Sequence, residues 1–86
     1  MLQEIERFLG DFDRVRNAAL SLPSPSDRGE VFAMLEFAIT FFDVAVSRNK
    51  PEIVCNLIMA SALRELQAAS DKVNALSKSR AAGSRP

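Results

Sequence analysis

Apolar residues recur at helical spacing along three stretches of the chain. In the first, from about Leu2 to Ser21, Ile5, Phe12 and Ala19 stand seven residues apart, Phe8, Val15 and Leu22 form a second row, and Leu2 and Leu9 widen it. Together they make one stripe of an amphipathic helix. Glu4, Glu6, Arg7, Asp11, Asp13 and Arg14 lie off the stripe, where Glu4 with Arg7 and Asp11 with Arg14 have the three-residue spacing of helix-surface neighbours. That charged side reads as a solvated face.

The second stretch, about Arg28 to Ser47, is far more apolar: between Val31 and Val46 only Glu36, Thr40 and Asp43 are polar. At about 100° per residue these three and Ser47 occupy an arc of roughly 60°. The apolar side chains run from Val44 through Phe37, Phe41, Met34, Phe42 and Leu35 to Phe32, an arc of roughly 240°. Two neighbours in a three-helix bundle cover about 150° of a central helix, so surplus apolar surface is expected, hidden by a partner. The run is too short and carries too many carboxylates to cross a bilayer.

In the third stretch, about Lys50 to Lys78, Cys55, Met59, Ala62, Leu66, Ala69, Val73 and Leu76 follow the alternating four-three spacing of a coiled-coil seam. As one helix it would be about 43 Å long against about 30 Å for the other two, which predicts that side chains beyond about Ser70 have no neighbour within the chain. Leu22-Pro23-Ser24-Pro25-Ser26-Asp27 and Arg48-Asn49-Lys50-Pro51-Glu52 separate the stretches. Asp27 with Glu30, and Asn49 with Glu52, fit capping boxes that would start the second and third helices. Residues 79–86 read as a flexible basic tail; between Lys72 and Pro86 lie Lys72, Lys78, Arg80 and Arg85 and no acid.

Composition narrows the chemistry. The 86 residues form one small domain, 1–78 in this reading, with eleven basic and eleven acidic side chains and a formal net charge of zero. This balance disfavours nucleic acid or a membrane surface as the partner. Histidine, tryptophan and tyrosine are absent, which removes the commonest general base and metal ligand and two of the best base-stacking residues. Cys55 sits on the third helix's seam with no histidine to activate it, the position of a small core residue. Pairing of two copies across a dimer seam is a lesser alternative. Glu36 and Asp43 share one helix face with Thr40 between them, yet no Glu-x-x-His or second carboxylate pair accompanies them. If buried, they would need Arg14, Arg16 or Arg64 as partners. No phosphate loop, glycine fingerprint or Cys-x-x-Cys is present. The first residues, Met1 to Glu6, have neither the basic start nor the apolar run of a secretory signal, and a cytoplasmic location is the expectation.

These readings predict an all-α fold: a small three-helix bundle, or a helical hairpin with a long third helix, that completes its core by oligomerisation. In size and helical content the chain resembles small co-chaperones and structural subunits of bacterial secretion systems, and small phage or plasmid accessory proteins. The expected function is a non-enzymatic interaction module, an adaptor, chaperone-like subunit or inhibitor that buries an apolar helix face against another chain or itself. A homodimer is the simplest version. Phe37, Phe41, Phe42, Leu66, Val73 and Leu76 are the candidate partner-binding residues, with no catalytic residue, cofactor, metal or small-molecule substrate expected. The alternative is a small regulator that binds nucleic acid through the basic C-terminal end.

Overall fold

The computed structural model describes residues 2–47 and 49–83, with side-chain surroundings through Lys78. It is a three-helix bundle: α1 spans Leu2–Leu20, α2 Pro25–Ala45 and α3 Glu52–Gly83. Among the described residues there is no strand.

α2 begins three residues before the expected Arg28. Ser24 is its N-cap, with extended backbone and a side-chain oxygen that accepts from the Asp27 backbone N–H at 3.3 Å, and Pro25 occupies the first turn. Proline there needs no backbone N–H and has its φ already set for a helix, so Ser24-Pro25 starts the helix and Asp27 becomes a first-turn acid. Ahead of it, α1 closes in a tight turn, with the Ser21 and Leu22 N–H groups donating to the carbonyls of Ala18 and Ala19. Arg28 reaches back from α2 and donates to the Leu22 carbonyl at 2.6 Å, tying the connection to the helix that follows it. Asn49 is likewise not the cap of α3: Val54 and Cys55 donate to the Pro51 carbonyl, and Glu52 is the first helical residue. α3 continues five residues past Lys78, through Ala81 and Ala82, which are strong helix formers with no breaker before Gly83. The rest of the expected tail, residues 84–86, lies outside the described residues.

α2 and α3 make the most extensive contact of the fold. They run antiparallel, as a 3.3 Å ion pair between Lys72 late in α3 and Glu30 early in α2 requires. Buried along α2 are Val31, Leu35, Ala38, Phe42 and Ala45, and along α3 Cys55, Met59, Ala62, Leu66, Ala69 and Val73. Both sets alternate four-three. The late part of the seam, Leu66 and Val73, expected to meet another chain, is therefore covered by α2 of the same chain, and the two helices pack as an antiparallel coiled-coil pair.

α1 lies along one flank of this hairpin. Phe8, fully buried, stacks on Phe42 with ring centroids 4.3 Å apart and planes 12° from parallel, and Phe12 stacks on Phe8 at 5.8 Å. A contact between the start of α1 and the end of α2 fixes these helices as antiparallel, as their short connection predicts. The outer side of α1 is charged, with Asp11 bridging Arg7 and Arg14 and Asp13 pairing with Arg16, all exposed. Such pairs contribute at most about 0.5 kcal/mol each.

Gly10 and Gly29 lie inside α1 and α2 with helical backbone, and an added Cβ would meet open space at both. Replacing either by alanine should raise stability by about 0.5–1 kcal/mol, through the lower backbone entropy of the unfolded chain. Thermal or urea melts of Gly10→Ala and Gly29→Ala read this directly; a loss of stability would mean that one of these helices is not continuous.

Candidate interaction face

The six candidate partner-binding residues separate into two groups. Phe42, Leu66 and Val73 are 7%, 2% and 4% exposed and belong to the chain's own core, so they are structural residues and not a free surface. Leu76 is half-buried against that core. Phe37, 65% exposed, and Phe41, 37% exposed, remain at the surface.

The correction at Val73 has a geometric cause. α2 starts at Pro25, about 4.5 Å further along its axis than a helix from Arg28, and the Glu30–Lys72 register lays its first turns beside Lys72 to Leu76. Unaccompanied chain begins after Leu76, not after Ser70.

Helix geometry then places the exposed phenylalanines. With both seams facing each other, α1 occupies the flank that carries Phe32 and Ile39 of α2 and Leu63 and Ser70 of α3, all buried or half-buried. A groove lined by Glu4 of α1 and by Asn56, Met59 and Leu63 of α3 marks the same side. At about 100° per residue, Met34, Phe37 and Phe41 project from the opposite flank of α2, and Val54, Ser61 and Ala68 from the opposite flank of α3. Among the described residues, no helix covers that second flank. Leu57 and Ile53, 65% and 70% exposed, extend its apolar character toward the outer edge of α3. Its upper half, from Phe37 and Ser61 to Val44 and Val54, contains no charged side chain.

The other exposed aliphatics form a weaker feature. Leu2, Leu9 and Leu20 follow one line along α1, but Arg16 continues that line between Leu9 and Leu20 and is paired with Asp13 at 3.4 Å. Polar side chains interrupt it.

The remaining candidates show no convergence toward chemistry. Glu36 and Asp43 are exposed and need no arginine partner, while the Thr40 hydroxyl between them donates to the Glu36 carbonyl of its own helix at 2.8 Å. Among the described residues, no group of three or more acidic or cysteine side chains is arranged to hold a metal ion. Cys55 is a free thiol buried beneath the α2–α3 connection, donating to the carbonyls of Ser47 at 3.4 Å and Lys50 at 3.8 Å. It closes that end of the bundle beside a dent of about 350 Å³ lined by Ile5, Ala45, Val46 and Lys50. At the other end, Lys72 is paired with Glu30, and the side chains of Arg80 and Arg85 lie outside the described residues. Among the described residues, no helix is long and apolar enough to cross a membrane.

Comparison with protein-family models, with curated proteins and with solved structures gives no match.

Two measurements check these placements. Val73→Asp should destabilise the fold by about 3 kcal/mol or more, because it buries an unpaired carboxylate in the seam, whereas Phe37→Ser should change stability by no more than about 0.5 kcal/mol. Melts that rank the two the other way would return Val73 to the surface. The Cys55 thiol should react with a disulfide reagent slowly in the native protein and rapidly in urea; equal rates would place it in solvent.

Proposed function

We propose that this chain is a non-enzymatic protein–protein interaction module, which works by burying the open flank of its α2–α3 hairpin against another polypeptide. The observation that carries this reading is Phe37, a large aromatic left 65% exposed on a helix whose seam is already complete. Phe41, one turn along the same helix, is also exposed, and Leu57 at the outer edge of α3 is a further exposed apolar side chain. A helix laid along the upper half of this flank would meet apolar side chains at each turn, the pattern of helix-in-groove recognition.

Support also comes from what the fold does without. Val31, Leu35, Ala38, Phe42 and Ala45 suffice to hold α2 against its neighbours, so the aromatic character of positions 37 and 41 is not a folding requirement. The adaptor, chaperone-like and inhibitor roles share this physical basis, the covering of an apolar helix face.

The test is covalent capture in the native host. A photoreactive residue at position 37 should crosslink to a discrete protein band, and one at Asn17, on the charged side of α1, should not. Phe41→Asp, on a chain that keeps its helical spectrum, should abolish the band. Equal labelling from both positions, or none from position 37, would remove the interaction reading.

A further inference from the structure

Resting on that reading, we propose that the occupant of the open flank is a second copy of this chain, related by a two-fold axis parallel to the helices, so that α2 and α3 of both copies form an antiparallel four-helix core. The argument is self-complementarity in shape, charge and helix direction.

Because Glu30 pairs with Lys72 across antiparallel helices, the hairpin register sets Phe41 level with Ser61 and Met34 level with Ala68. On α2 the open flank is a ridge, with Phe37 and Phe41 projecting. On α3 it is lower at Val54, Ser61 and Ala68, which recur every seven residues with short side chains, with Glu65 and Lys72 standing beside them on the same flank. A two-fold axis parallel to the helices exchanges left and right without changing height. It therefore sets the ridge of each copy against the lower line of the other, Phe41 over Ser61, with Phe37 beside the stem of Glu65 between Ser61 and Ala68. The Ser61 hydroxyl already donates to the Leu57 carbonyl of its own helix at 3.4 Å, so covering it does not leave that hydroxyl without a partner.

Charge follows the same symmetry. Glu30 and Lys72 stand at one height on the two helices, both partly exposed, so the axis brings Glu30 of each copy opposite Lys72 of the other. An axis perpendicular to the helices would carry both groups to the far end and set Phe37 and Phe41 against their own copies, with the lower line of α3 unfilled. Helix direction agrees as well: around the four-helix core every neighbouring pair is antiparallel, which opposes their dipoles favourably. The flank is as long as α2, about 31 Å, and two helix diameters wide, about 600 Å² in projection, the order of the ~800 Å² per partner of a standard stable interface. Besides Glu30, the contact holds a second carboxylate, Glu65, half-buried at the height of Phe37.

The test is sedimentation equilibrium of the purified chain over a wide concentration range, with melts of each variant to show that it folds. The expected species is a dimer of the 9.5 kDa chain. Ser61→Phe fills that lower line from outside the core and should give a folded monomer, and Glu65→Leu should tighten the dimer. Glu30→Lys and Lys72→Glu place like charges together and should each weaken self-association about tenfold. Mixed in equal amounts, those two variants should associate with each other, because each then supplies what the other lacks. A monomer at every concentration, a dimer indifferent to Ser61→Phe, or a mixture no tighter than its components overturns the proposal. The interaction reading is tested separately: a crosslink from position 37 to a different protein, on a chain that sediments as a monomer, would keep that reading and reject the second copy.

Discussion

The structure depends on the closeness with which α2 and α3 can meet. Where their seams cross, the facing positions are small: Ala38 and Ala45 on one helix, Ala62, Ala69 and Cys55 on the other, all nearly or fully buried. Small side chains at the contact let helix backbones approach and pack along their whole length. The larger seam residues, Leu35, Phe42, Met59 and Leu66, fill the layers between. Off-seam side chains are covered only where a third helix reaches them, as at Phe32 and Ile39. Phe37 and Phe41 stand off the seam on the other flank and are exposed.

α1 is attached by a different device. It has less contact with either partner helix than they have with each other, and its hold is concentrated in aromatic rings, Phe8 between Phe12 and Phe42. Offset-stacked rings add about 0.5–1.5 kcal/mol per pair to the burial of their area. Leu22, buried just past the end of α1, and the Arg28 bond to its carbonyl pin the other end. With α1 fixed at both ends along one flank, the hairpin is shielded on that side alone, and the bundle has a closed face and an open one.

How far the sequence revealed this differs from helix to helix. α1 was legible because its apolar stripe is narrow and its other positions are charged, leaving one orientation that buries Phe8, Val15 and Ala19. The α3 seam is legible as a four-three pattern, yet the partner of its last turns within the chain is not, because α2 carries the matching pattern within a nearly unbroken apolar run. Val31, Leu35, Ala38, Phe42 and Ala45 do not stand out when Phe32, Met34, Phe37, Ile39, Phe41 and Val44 surround them. Alanine was the missed signal: Ala38 and Ala45 are seven apart, as are Ala62 and Ala69, and paired small residues mark where two helices touch. The start of α2 was misplaced because Ser24-Pro25 and Asp27 both carry helix-start chemistry, and only the former pairs a capping side chain with a proline suited to the first turn.

The open flank follows from an accounting of what folding demands of α2. A helix in contact with α3 along one line and α1 along the next needs apolar residues over little more than those two lines, and the other positions can be polar at no cost to the monomer. α1 uses that freedom, placing Glu6, Arg7, Asp13 and Arg14 on its outer side. α2 does so only in part: Glu36, Thr40 and Asp43 lie on the side opposite the seam, while the flank away from α1 carries Glu30 at its start and is aromatic beyond it, at Phe37 and Phe41. Exposed phenylalanine lowers solubility and contributes little to the isolated bundle, and this is the ground on which the interaction at this flank is proposed. A second surface laid over Phe37 and Phe41 would remove their exposure, and the small residues on α3 would give it places into which bulky side chains can pack.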